Sequence, residues 1–132
     1  MNIIEKLAWI EIKNKTILST RSIGREKFYI PGGKRESDET DKQALIREIK
    51  EELTVSLIEG SIEFIGTFEA QADNQKIGTI VKMICYSAKY IGVIEASSEI
   101  EEISWLNSGD ANEISEVDKL IFKWLKSQKL IL

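Results

Sequence analysis

Residues 41–53 carry an apolar rhythm that suits only a helix: Leu45, Ile49 and Leu53 recur at i, i+4 and i+8, with Ile46 beside them. One such stripe needs one covering surface, so the chain must supply a sheet or a second helix to hide it. The helix start is marked as well. Thr40 followed three residues later by Gln43 is a capping-box pattern, with Thr40 as the N-cap. Glu48, Glu51 and Glu52 fall on the flank of the stripe, because 48 to 51 and 48 to 52 are i+3 and i+4 steps. Arg47 stands four residues before Glu51 and can pair with it. Three carboxylates and one guanidinium therefore crowd the edge of a face that has to be buried.

The rest of the chain reads mostly as strands. Residues 7–13 alternate, with Ala8, Ile10 and Ile12 on one side and Trp9, Glu11 and Lys13 on the other, as in a half-buried strand. Asn14-Lys15 turns the chain, and 16–22 returns as a second strand. A short strand is expected at 28–30, ending at Pro31-Gly32-Gly33, and an extended piece at 55–57. Long strands are expected at 62–70 and 77–88, joined by a polar turn at 72–75, and a last one at 100–106. Ile114, Val117, Ile121, Trp124 and Leu125 recur at helical spacing and predict an amphipathic C-terminal helix. The expectation is a single α/β domain over 1–132, with a mixed sheet between helices.

Composition narrows the chemistry. Eighteen basic against 22 acidic side chains leave a net charge of -4, which argues against a duplex nucleic-acid binder. The chain has no histidine, so histidine triads and histidine metal sites are excluded. A single cysteine, Cys85, cannot form an internal disulfide; it sits in an apolar run and reads as a buried thiol suited to a reducing cytoplasm. Glu5, Lys6 and Glu11 break any signal-peptide core, and the apolar stretch 77–86 is interrupted by Lys82 and too short to span a bilayer. A cytoplasmic protein with no membrane partner is expected.

Two like charges about 6 Å apart cost roughly 3 kcal/mol at an effective dielectric of 20, and less than ~1 kcal/mol in water. If the glutamate flank lines a cleft, it needs cations; hard oxygen ligands suit magnesium or manganese. Pro31-Gly32-Gly33-Lys34 lies just upstream, where glycines permit a sharp turn and close backbone approach, and Lys34 can reach a phosphate. It is not a P-loop, since Arg35 follows Lys34.

Taken together, Gly33, Glu39, Arg47, Glu48, Ile49, Glu51, Glu52 and Val55 resemble the box of the Nudix hydrolase family. That pattern is glycine, five residues, glutamate, seven residues, Arg-Glu, an aliphatic, any residue, Glu-Glu, any residue, glycine and an aliphatic. The departure is Thr54, which replaces the second glycine at the helix end. A left-handed residue is expected there, and threonine is disfavoured in that conformation, so a strained turn that glycine would relax is expected.

The resemblance implies the family's α/β/α sandwich and a metal-assisted attack of water on phosphorus, with magnesium, or manganese, as cofactor. It implies that Glu48 and Glu52 are the core metal ligands, with Glu51 and the Gly32 carbonyl completing the site. Arg47 would orient those glutamates and Glu39 would hold the loop against the helix. The proton acceptor would be Glu48 or a glutamate outside the box; Glu99 is the first choice among Glu99, Glu101 and Glu102, whose other reading is an exposed strand edge. Arg21 and Lys34 would contact phosphate. Asn112 would read the base, or else serve as the N-cap of the last helix. Trp9, Phe28, Phe64, Phe68, Tyr86 and Trp105 could stack a base, though core packing is the ordinary role of each.

The small MutT-like branch is the nearest resemblance, implying a small-molecule partner: a nucleoside triphosphate, cleaved to monophosphate and pyrophosphate. The alternatives are an ADP-sugar or dinucleoside polyphosphate pyrophosphatase and, in another class, a non-catalytic nucleotide sensor. Residues 69–73 hold neither the proline nor the tyrosine that mark the ADP-ribose and dinucleotide branches. Homodimers are common in similar proteins.

Overall fold

The computed structural model describes residues 2–72 and 77–132. The chain opens with β1 (Asn2–Trp9), β2 (Ile12–Lys13), β3 (Thr16–Ser22) and the two-residue β4 (Gly32–Gly33). Helix α1 (Asp41–Leu53) follows, then β5 (Ser56–Leu57), β6 (Glu63–Gln71), β7 (Thr79–Ser87), β8 (Tyr90–Ile91), β9 (Ile100–Leu106) and α2 (Glu116–Ser127). Short 3-10 turns occupy Glu59–Ser61 and Ser108–Glu113.

The central sheet has the order β4-β1-β7-β6. β1 and β7 run parallel, with Ala8 opposite Cys85, while β4 and β6 pair antiparallel to their neighbours. Parallel strands need a crossover, and α1 lies in the one between β1 and β7. A second sheet, β2-β3-β9, and the β5-β8 pair complete the framework. A helix covers each face of the central sheet, giving the expected mixed sheet between helices. Leu7 and Trp9 of β1 join Leu18, Leu45, Ile49 and Leu53 in the core beneath α1. Ala8 and Ile10 join Val117, Ile121, Phe122 and Leu125 beneath α2. Leu45, Ile49 and Leu53 are fully buried, which contributes about 1.5–3 kcal/mol apiece.

The sequence expectations need correction at several points. Residues 7–10 are buried on both faces rather than half-buried, because each face meets a helix. The strand expected over 7–13 breaks at Ile10-Glu11. Residues 28–30 form only isolated bridges, Thr20 with Tyr29 and Phe28 with Ile114, and the true strand is the glycine pair that follows. β8 was not expected. Beyond Ala72, the turn at 72–75 lies outside the described residues. The N-cap of α2 is Ser115, whose Oγ accepts from the Asp118 N–H; Asn112 sits in the preceding 3-10 turn and does not cap the helix. Ser115 and Asp118, three residues apart, carried a capping signal that the asparagine obscured.

The ends of α1 match expectation. Thr40 Oγ1 accepts from the Gln43 N–H at 3.1 Å, and the Thr40 N–H donates back to Gln43 Oε1 at 3.0 Å. Thr54 is left-handed, with φ of 64°. Its hydroxyl donates to the Val93 carbonyl at 3.0 Å, a contact that ties the helix end to the loop before β9. Left-handed strain costs roughly 1–2 kcal/mol, and a hydrogen bond returns about 0.5–1.5 kcal/mol. Thr54→Gly is therefore expected to shift stability by less than ~1 kcal/mol, and not to stabilise clearly. Thr54→Val keeps the strain and loses the bond, so it should be about 1 kcal/mol less stable than the wild type. Urea unfolding of the wild type and both variants checks this; equal midpoints for the wild type and Thr54→Val would show that the hydroxyl contributes nothing.

Candidate active site

The two glycines of β4 allow the close approaches on which the site is built. Gly32 lies at φ of 152°, and a Cβ there would sit 1.9 Å from the Leu7 carbonyl oxygen. At Gly33 a Cβ would meet the carboxyl carbon of Glu48 at 2.5 Å. Only glycine lets the backbone lie against β1 at one residue and the Glu48 carboxyl at the next.

Arg47 connects the loop to the helix. Its Nε donates to Glu39 Oε2 at 2.7 Å and its Nη2 to Glu39 Oε1 at 2.9 Å, a bidentate pair. Nη1 donates to Glu48 Oε1 at 2.8 Å, and Nη2 also reaches the Lys34 carbonyl at 3.1 Å. Glu51 stands 3.6 Å from Nη1 with its side chain half exposed. The Glu39 carboxyl also accepts from the Glu36 N–H at 2.8 Å. Hydrogen bonding from Arg47 pulls the Glu39 carboxyl down to about 2, helped by that backbone N–H. The guanidinium itself is held more firmly protonated, by Glu39 first.

Glu52 is the strained member. It is only 5% exposed, yet it lies beside the Glu48 carboxyl. Burial, then hydrogen bonding and charge from Glu48, then the charge of Glu99, raise its pKa far above the carboxylate range; a backbone hydrogen bond at Gly32 opposes them. Glu99 reaches this point because the loop before β9 is stitched to the end of α1. The N–H of Glu95 donates to the Leu53 carbonyl at 3.1 Å, and that of Ser97 to the Glu52 carbonyl at 2.9 Å.

A cleft with a cavity of about 290 Å³ opens beside these groups. Glu52, Glu99, Gly32 and Gly33 line it together with Lys6, Arg25, Tyr29, Ser115 and a run of aliphatic side chains. Of the three acids at 99–102, Glu99 alone lines the cleft. Glu101 and Glu102 pair with Arg21 at 2.6 and 3.0 Å on the strand edge, and Arg21 also donates to the Arg25 carbonyl. Lys34 is exposed, Asn112 is exposed, and neither they nor Arg21 line the cavity. None of the six aromatic candidates lines it either; the aromatic ring in the cleft belongs to Tyr29. Lys6, Arg25, Tyr29 and Ser115 were missed. The alternation of buried Phe28 and Ile30 about Tyr29 was the available signal for that ring. Cys85 is buried, as expected, and burial pushes its thiol up to about 12.

Among the described residues no three acidic or cysteine side chains converge on a single metal-holding point, since Arg47 draws Glu51 and one oxygen of Glu48 aside. The Glu48–Glu52 pair nonetheless fits a hard divalent cation. Two carboxylates in contact, one of them buried, ionise together more readily when a further positive charge joins them, and their oxygens suit magnesium or manganese.

The NUDIX domain family matches residues 8–126. Among curated proteins none matches the chain. The E. coli ORF135 protein is similar in structure, with a TM-score of 0.74 and 23% identity over 98% of this chain and 92% of that one. The MutT protein from Methanosarcina mazei Go1 superimposes with a TM-score of 0.75 and 19% identity, over 97% and 96% of the two chains. A bifunctional NMN adenylyltransferase/ADP ribose pyrophosphatase from Francisella tularensis, crystallised with AMP and a manganese ion, gives 0.63 and 22% over 96% of this chain and 42% of that one. At such identities these likenesses speak for the fold.

The electrostatics of Glu52 set a sign for stability. Between the ordinary carboxylate range and its raised pKa, the folded protein holds a proton that the unfolded chain has released. Without metal, that group therefore makes stability fall as pH rises through this window. Glu52→Gln removes this dependence. In chelator, the wild-type melting temperature should decline between about pH 5 and pH 8 more steeply than that of Glu52→Gln. Parallel profiles would show Glu52 to be ionised already. Gly33→Ala should displace the Glu48 carboxyl and cut activity at least ~10-fold while the chain still folds; steady-state kinetics and circular dichroism check this.

Proposed function

Because the chain belongs to the NUDIX family, and is with it a pyrophosphohydrolase of nucleotide-type substrates that needs a divalent metal, we propose that it cleaves a nucleoside triphosphate to monophosphate and pyrophosphate. The observation that carries this reading is the cleft itself. Acidic groups, the glycine turn, two cations and apolar side chains line it together. That suits an anion linked to a nucleoside.

In this reading Glu48 and Glu52 would hold a magnesium ion with the Gly32 carbonyl, and Glu51 would complete the shell by turning away from Arg47. Bound there, the ion would neutralise phosphate charge and acidify the attacking water. Arg47 is a positioning residue: it fixes the Glu48 carboxyl and anchors the loop through Glu39 and the Lys34 carbonyl. Glu99 faces the cleft and takes the proton of the attacking water. The apolar walls and the Tyr29 ring receive the nucleoside and exclude water from it. Manganese should substitute for magnesium, since both accept oxygen ligands.

The test is product analysis with a panel of substrates: ordinary and oxidised triphosphates, ADP-ribose and dinucleoside polyphosphates. Expected are monophosphate and pyrophosphate from a triphosphate, loss of turnover in chelator, and recovery with magnesium or manganese. Glu52→Gln should lower turnover at least ~10²-fold while the chain still folds. Preference for ADP-ribose with triphosphates untouched would overturn the triphosphate reading, and full turnover in chelator the metal reading.

A further inference from the structure

Lys6 has no role in the site described so far. It leaves β1 with the parity of Ala8, opposite Met83 of β7, and lines the cleft. Its side chain is half-buried. The ammonium lies 6.0 Å from the centroid of the Tyr29 ring, and among the described residues no carboxylate or carbonyl forms an ion pair or hydrogen bond with it. The folded chain has other cations close by. Burial lowers the Lys6 pKa, and so do Lys34 and Arg25, while Asp118 and Glu52 hold it up. Lys6 and Arg25 both line the cavity. Cations that repel one another around a cleft are relieved together by a multiply charged anion.

We propose that Lys6 grips the phosphate chain of the substrate within the cleft, so that the ammonium on β1 is a substrate-binding residue. This rests on the reading that the substrate is a phosphoric anhydride. The position favours phosphate over a base. Gly32 pairs with Ala8, two residues from Lys6 on the same face of β1, so the Lys6 backbone stands about 7 Å along the strand from the residue that faces the glycine turn, and its side chain lines the same cleft as Gly32 and Gly33. The aliphatic floor continues past it through Ile4 and Val81. Lys6 thus shares the cleft with the glycine turn and Glu52 as well as with that aliphatic floor.

The experiment measures binding of inorganic pyrophosphate by calorimetry, in magnesium, to the wild type, Lys6→Met and Lys6→Arg. Methionine keeps most of the apolar stem and removes the charge. Its dissociation constant should rise roughly 10- to 100-fold, the range for one charge-assisted hydrogen bond, while arginine stays within a few-fold of wild type. KM for a triphosphate should rise in parallel, with kcat changed less. Equal melting temperatures show that the variants fold; if Lys6→Met does not, Lys6→Gln replaces it in the same comparison. Pyrophosphate affinity unchanged in the methionine or glutamine variant overturns the proposal, as does a shifted ranking of bases with unchanged pyrophosphate affinity. Since pyrophosphate carries no nucleoside, the result stands whichever nucleotide proves to be the substrate. A wild type inactive on triphosphates that still binds pyrophosphate through Lys6 would overturn the earlier reading alone.

Discussion

The Arg47 guanidinium holds together what the chain keeps apart. Glu39 precedes the helix, Glu48 lies on it, and the Lys34 carbonyl belongs to the turn after β4; one planar group reaches all three. The bidentate geometry with Glu39 fixes the plane of the guanidinium, and that plane in turn fixes the Glu48 oxygen it touches. A lysine could supply the charge without the fork. The loop, the helix and one carboxylate therefore move as a unit, and Gly33 leaves room for that carboxylate against the β4 backbone.

The two-faced sheet serves the same end. β1 sends Leu7 and Trp9 to the α1 core and Ala8 to the α2 core, which Ile10 just beyond the strand also joins, so its position is set from both sides. Because Gly32 and Gly33 pair with Ala8 and Leu7, that rigidity passes directly to the turn beside the carboxylates. The loop before β9 adds a third support. Backbone bonds to Leu53 and Glu52, and the Thr54 hydroxyl on Val93, press it onto the helix end and bring Glu99 to the cleft.

Against this rigid frame stands an unresolved electrostatic conflict at Glu52. Burial beside Glu48 disfavours its charged form, and the packing that holds it there leaves it little room to escape. Such a pair is costly in the bare protein and favourable once a divalent cation joins it. The cost of burying Glu52 is offset by other packing, to which the fully buried stripe of Leu45, Ile49 and Leu53 contributes.

Much of this was legible in the order of residues. The stripe, the Thr40–Gln43 cap and the spacing of Arg47, Glu48, Glu51 and Glu52 are local, and helical periodicity alone converts them into one face and one charged flank. The family pattern needed nothing more than that spacing. The left-handed Thr54 was legible too, but its hydroxyl's partner, 39 residues away, was not. The remaining gaps share that cause. Arg21 and Glu101 look like site residues in the sequence, yet strand pairing turns them toward each other on an outer edge. Lys6 and Tyr29 look ordinary and become cleft neighbours because β1 and the segment before the glycine turn converge. Sequence by itself determined which residues share a helix face, since that depends on a repeat of a few residues. Only the tertiary structure decided which charges meet a cavity and which meet one another, because those encounters depend on long-range pairing that no local period encodes.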